Sequence, residues 1–374
     1  LARNNSTDLA SAGAIFTALY LGSIPAQLAS GWLNDKYGSV PIMMIGMVMM
    51  AVGMVGVTLS HTLLWTLALM VFAGVGDGAL VVGANVLVVQ TFARRRASAL
   101  SLMNVFYGIG AIVGPILVSV SLGIWQTALP AMISVPLLLV LLLPVTRGLH
   151  QGHSELLARA NEDNPQGVET TKQGSLYRSP LLWLMSALMM VYVGTEVGIG
   201  GWISTYTFRT SPISAEAAAL IASGFYLALT AGRLVSAALG TRMRSEQILL
   251  VSLLGAIVGG AGILLGVGNM VLTISAVLLT GAAFGPIYPT VLAVTAARFS
   301  LNTGKAAALV MAVGSIGGLI LPWLFGILLV GLGAQSLALV VNVLIALMLV
   351  VFILSGIAAR KLDRVSVPTG ERVA

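Results

Sequence analysis

The sequence predicts an all-α protein whose helices cross a lipid bilayer many times. Three observations predict it. Of the 374 residues, 58% are hydrophobic and only 8% charged, where soluble domains carry about a quarter charged residues. Mean hydropathy is +1.00. Apolar runs long enough to cross about 30 Å of hydrocarbon follow one another along the chain, broken by Gly, Pro and charged clusters. In lipid only a helix or a closed barrel satisfies every backbone polar group, and these runs lack the period-two alternation of barrel strands.

Taken in order, the spans fall at 9–32, 40–60, 63–92, 98–120, 123–146, 180–208, 214–240, 247–266, 270–297, 305–331 and 335–358, eleven in all. The longest polar stretch, Arg147 to Arg178, separates five spans from six. It reads as a flexible linker with a short amphipathic helix at Ser154–Ala160. The chain thus divides into an N-terminal half at 1–146, a cytoplasmic linker at 147–178, a C-terminal half at 179–358 and a cytoplasmic tail at 359–374.

Charge sets the orientation. A net charge of +7 and a pI near 10.0 would suit a nucleic-acid partner, but the basic residues alternate by loop. Sixteen of the 19 Lys and Arg, from Lys36 and Arg94–Arg96 to Arg360 and Arg372, fall on one side; only Arg3 and Arg209 fall on the other. The positive-inside rule makes the first side cytoplasmic, which puts the C-terminus inside and Leu1 outside. With no Cys, and with His61, His150 and His153 in loops without ligand spacing, the sequence offers no metal site, disulfide framework or thiol nucleophile. Neither an enzyme nor a cofactor is expected. Leu1 to Asp8 is polar and does not read as a cleavable signal peptide.

The halves repeat. Tyr20-Leu21, Gln27-Leu28, Ser30 and Leu33 match Tyr226-Leu227, Arg233-Leu234, Ser236 and Leu239 at an offset of 206. At an offset of 207, Gly74, Gly78, Phe92, Gly110 and Pro115 match Gly281, Gly285, Phe299, Gly317 and Pro322. The same register leaves the span at 180–208 without a partner. The expected architecture is therefore a bundle of two pseudo-repeated halves with 11 of 12 transmembrane helices present and the first one missing.

Several segments carry a family resemblance. Gly31-Trp-Leu-Asn-Asp35-Lys36-Tyr-Gly38 resembles the cytoplasmic signature of the major facilitator superfamily, although Ser39 and Val40 replace its usual basic pair. The resemblance implies a role in conformational switching for Gly31, Asp35, Lys36 and Gly38, with Asp35 paired to Arg94, Arg95 or Arg96. Simple loop capping is the plainer reading. Gly108-x-Gly110-x-x-x-Gly114-Pro115 resembles part of an antiporter signature and also reads as close packing with a hinge. The segments Gly74 to Asn85, Tyr192 to Tyr206 and Phe284 to Thr290 look like the fucose:proton symporter and sodium-glucose-like branch. In that branch the proton-coupling carboxylate sits where this chain has Val81, one turn from Asp77.

Two carboxylates, Asp77 and Glu196, lie deep within spans, where a charge costs at least about 2.5 kcal/mol on insertion scales. Both are candidates for substrate binding or proton coupling; a structural hydrogen bond is the alternative for each. Gly194, Gly198, Gly200 and Gly201 permit a helix break at Glu196. Asn85, Trp202, Tyr206, Tyr288, Gln90, Asn104 and Tyr107 offer the stacking faces and directional hydrogen bonds that a sugar needs. Arg233 is expected to snorkel or to pair with a loop.

The expected function is secondary active transport of a small polar solute, first of all a sugar, by ion-coupled symport, with a proton or sodium as the coupling ion. The expected setting is a bacterial inner membrane, with lipid as solvent, the solute as partner, no nucleic acid and a monomeric protein. An antiporter exporting drugs or metabolites is the rival within transport. A receptor or assembly factor on the same fold is the rival outside it.

Overall fold

A computed structural model describes residues 9–60, 62–92, 94–125, 176–211 and 213–365. Eleven α-helices occupy them: α1 (Leu9–Tyr37), α2 (Ser39–Leu59), α3 (Leu63–Thr91), α4 (Arg96–Trp125), α5 (Pro180–Thr210), α6 (Ala215–Leu239), α7 (Ser245–Leu265), α8 (Met270–Phe284), α9 (Ile287–Arg298), α10 (Thr303–Gly331) and α11 (Gln335–Val365). Eight segments among the described residues are long and apolar enough to span a bilayer, one of them Met270–Arg298, which joins α8 and α9. The fold is all-α and integral to the membrane. Of the expected eleven spans, 123–146 lies outside the described residues except for 123–125, which continue α4; most of the linker, where a helix is expected at Ser154–Ala160, and the end of the tail also lie outside them.

Local chemistry explains the breaks. Gly38 adopts φ 82° between α1 and α2, a left-handed conformation that suits a residue without Cβ. Pro180 opens α5 where a missing N–H costs nothing. Pro286, lacking an N–H, separates α8 from α9, so the expected span at 270–297 is two helices end to end. The break expected at Glu196 does not occur: α5 runs unbroken through Gly194, Gly198, Gly200 and Gly201. Three of those glycines serve packing instead, Gly194 against Leu321 and Gly317, Gly198 against Phe325 and Gly200 against Tyr226.

Packing repeats as the sequence does. In the N-terminal half α3 packs on α1 and α2; in the C-terminal half α8 packs on α6 and α7. A Cβ on Gly74 or Gly78 would strike the carbonyls of Leu19 and Ser23, and one on Gly281 or Gly285 those of Phe225 and Leu229. These carbonyls are themselves repeat mates at the offset of 206. Small residues let the backbones approach, which is how helices adhere where lipid supplies no hydrophobic drive. Between the halves α1 packs on α10 and, in the equivalent contact, α6 on α4. Exposed Leu, Val, Ile and Phe side chains cover the outside of the bundle.

The halves meet at the end that carries the basic loops. Gly31 lies against Gly304 and Ala308. Ser101 Oγ lies 2.9 Å from Ser236 Oγ, and Ser98 Oγ donates to the Ala237 carbonyl. Farther along, Leu21 and Tyr107 are exposed and Gly110 and Gly201 face open space.

Candidate functional site

Asp35 shows how the basic end is held. Its Oδ1 accepts from the Gly304 amide at 2.9 Å and its Oδ2 from the Lys305 amide at 3.1 Å. The carboxylate of one half thus caps the N-terminus of α10 in the other, where orphan amides and the helix dipole favour negative charge. This replaces the expected pairing with Arg94, Arg95 or Arg96. Arg94 and Arg95 are exposed, and Arg96 donates to the Val89 carbonyl at 3.4 Å. A carboxylate's acceptor geometry is met as well by amides as by a guanidinium, and the α1–α10 contact brings the amides closer. Burial pushes the Asp35 carboxyl upward, against the pull of the Lys305 and Gly304 amides and the Lys305 charge. Lys36 sits over the rings of Trp32, at 4.9 Å, and Tyr37, at 5.0 Å.

Deeper in the bundle the two intramembrane carboxylates each have partners. Ser23 Oγ donates to Asp77 Oδ2 at 2.8 Å, and Gln27 Nε2 donates both to Ser23 Oγ and, across the halves, to Ser315 Oγ, each at 3.1 Å. On the other side Arg233 Nη2 lies 3.6 Å from Glu196 Oε1, and Arg233 Nη1 donates to the Asn104 carbonyl at 3.3 Å. The guanidinium carbon stands 5.9 Å from the Tyr107 ring. Arg233 is only 4% exposed, so it neither snorkels nor pairs with a loop. It faces inward from α6, and Glu196 on α5 is the acid that compensates it.

Tyrosines surround this pair. Tyr192, fully buried, sits beside both Glu196 and Arg233, and its hydroxyl has no hydrogen-bond partner of ordinary geometry. Tyr20, Tyr107, Tyr226 and Tyr288 are all within electrostatic reach of Glu196. The structure therefore gathers Asp77, Glu196, Tyr107 and Tyr288, with Asn104 contributing its backbone. It adds Arg233, Tyr192, Tyr20 and Tyr226, which residue type alone did not single out. Tyr20 and Tyr226 had one available signal: they are repeat mates.

Other expected site residues lie elsewhere. Trp202 donates from Nε1 to the Pro322 carbonyl at 2.8 Å and Tyr206 Oη to the Ile263 carbonyl at 2.9 Å, so both fasten α5 to its neighbours. Asn85 donates to the Val81 carbonyl of its own helix at 2.8 Å. Gln90 is exposed at the basic end of α3. Each residue type was compatible with sugar binding, but its helix face turns it to packing or solvent.

A membrane bundle of pseudo-repeated halves with acids deep within its spans is the architecture of a membrane transporter. The sequence profile described as Major Facilitator Superfamily matches residues 1–322, and the chain belongs to that family. This is a family of transporters, not enzymes. The chain is 25% identical to the Saccharomyces cerevisiae protein named Bypass of stop codon protein 6, over 89% of this chain and 72% of that one. It is 22% identical to the human Sodium-dependent glucose transporter 1, over 88% and 68%. Its fold is similar to that of the Escherichia coli fucose:proton symporter FucP, with a TM-score of 0.73, 18% identity and 94% and 91% of the two chains covered.

Proposed function

We propose that this protein moves a small neutral polar solute of the hexose class by proton-coupled symport, with alternating access to a site between the halves. The observation that carries the reading is the Glu196–Arg233 pair, set among tyrosines of which Tyr20, Tyr107 and Tyr288 are within electrostatic reach of Asp77 as well. Tyrosine rings and hydroxyls match the apolar faces and hydroxyl edges of a sugar. An acid within a membrane span is a functional candidate by default. A relative named as a sodium-dependent glucose transporter and a structural neighbour named as a fucose:proton symporter support the substrate class, and the two differ in coupling ion.

On this reading the basic end is cytoplasmic by the positive-inside rule, and the conformation described is closed there. Asp35, Gly31 and the serines of α4 and α6 hold that closure, and their release opens the other route. The C-terminus, which follows α11 at the same end, is inside.

The test is flux in proteoliposomes containing a pH-sensitive dye. Adding a neutral hexose outside should acidify the lumen, and Glu196→Gln should abolish the signal while leaving the protein folded. Hexose uptake with no proton movement would remove the coupling claim. Absence of any hexose-dependent flux or exchange would remove the substrate claim.

A further inference from the structure

Positions 27 and 233 are repeat mates, and their side chains make equivalent connections with different chemistry. Gln27 is linked through Ser23 to Asp77 in its own half and to Ser315 on α10 in the other. Arg233 touches Glu196 in its own half and the Asn104 carbonyl on α4 in the other. Each carboxylate is therefore connected to a helix of the other half, Asp77 through Ser23 and Gln27, and Glu196 through Arg233 alone. One connection is neutral and the other is charged.

That difference has a physical consequence. Gln27 keeps its donors and acceptors whatever the charge on Asp77. Arg233 cannot lose its proton, and at 4% exposure its charge is compensated chiefly by Glu196. If Glu196 becomes neutral, the guanidinium keeps a carbonyl and the face of Tyr107, while its Nε has no partner already. A buried charge without its counter-ion is among the costlier arrangements in a protein, whereas removing both charges together is often neutral. The remaining titratable groups near the pair are Tyr192 on α5, Tyr107 on α4, Tyr226 on α6, Tyr20 on α1, Tyr288 on α9 and Asp77 on α3. Tyrosines stay neutral at physiological pH, and Asp77 is held by Ser23 rather than by Arg233, so among the described residues no other anion contacts the guanidinium.

We propose that Arg233 is a positioning residue that ties closure of α4 on α6 to the ionised state of Glu196, so that neutralising Glu196 releases the contact at the basic end. The proposal rests on the reading of Glu196 as the coupling acid, but it concerns conformation and needs no solute to be tested.

The chain has no cysteine, so a single one reports cleanly. Ser236 is fully buried on the α4–α6 contact, and the thiol introduced by Ser236→Cys is labelled by N-ethylmaleimide only when that contact opens. Glu196→Gln should speed labelling about tenfold, within the usual range of conformational coupling. Adding Arg233→Gln, which converts the charged connection into its neutral repeat mate, should return the rate to near that of the parent. Adding Arg233→Lys, which keeps the charge, should leave labelling fast. An unchanged rate in Glu196→Gln, or a double variant with Arg233→Gln as fast as the single, would overturn the proposal.

Ala256→Cys, in the core of the C-terminal half, serves as the folding control because Ala256 is fully buried on α7. Should Glu196→Gln expose that thiol too, Glu196→Asp takes its place. Its shortened reach should also speed labelling at 236, and no change would again overturn the proposal. Hexose flux is a separate readout, so its failure leaves the labelling result standing, and a flat labelling response leaves the flux result standing.

Discussion

Glu196 and Asp77 were legible in the sequence because an acid in the middle of an apolar span is improbable without a reason. Arg233 was not, since sequence position reports how deep a residue sits but not which way its helix face turns. Eight residues from the end of its predicted span, an arginine can reach water or face the core; the packing of α6 on α4 decides for the core. The same ambiguity applies to Trp202 and Tyr206, which hydrogen-bond to the Pro322 and Ile263 carbonyls. Trp202→Phe and Tyr206→Phe should each cost about 1 kcal/mol, the net worth of one hydrogen bond, lowering the melting temperature with no change in the KM for the transported solute. A KM raised severalfold in Trp202→Phe would return that residue to the site.

Among the described helices, the order and most starts followed from apolar runs and from Gly and Pro, while α1, α4 and α11 run on past the expected ends at 32, 120 and 358 to Tyr37, Trp125 and Val365. Continuity did not follow from them. Four glycines near Glu196 suggested a broken helix, yet α5 is whole, because glycines in lipid serve close approach as readily as flexibility. The break falls at Gly285-Pro286, where the backbone loses a donor. Glycines therefore differ by their neighbours. Gly232→Ala should destabilise the protein, since its Cβ would meet the Ala282 carbonyl of α8. Gly356→Ala, with open space around it on α11, should be neutral or stabilise by up to about 1 kcal/mol through helix propensity. Thermal unfolding in detergent separates the two, and equal effects would contradict the packing account. Gly38→Ala and Gly38→Asn should each cost about 1–3 kcal/mol, because φ 82° with ψ 160° is a backbone region open essentially to glycine alone.

For the whole molecule the repeat was the most informative feature of the sequence, because it fixed which helices correspond and hence the two equivalent contacts between halves. It could not fix the conformation, which depends on small differences between competing contacts. In the structure the halves close at the basic end through Gly31 against Gly304 and Ala308, and through Asp35 on the α10 amides. Gly31→Leu should wedge that contact apart, leaving a folded protein without transport. It should also speed N-ethylmaleimide labelling of the thiol introduced by Ala308→Cys, a position buried here. Transport at the wild-type rate in Gly31→Leu would show that this closure is not part of the cycle.

The central claim is that the solute sits against Glu196 between the halves, and chemical protection tests it most directly. A hydrophobic carbodiimide modifies buried carboxyls, and mass spectrometry resolves the peptide that carries Glu196 from the one that carries Asp77. Saturating neutral hexose should slow modification of Glu196 severalfold, and a sugar that is not transported should leave it unchanged. Equal modification of Glu196 with and without a transported hexose would contradict the account and place the solute elsewhere in the bundle.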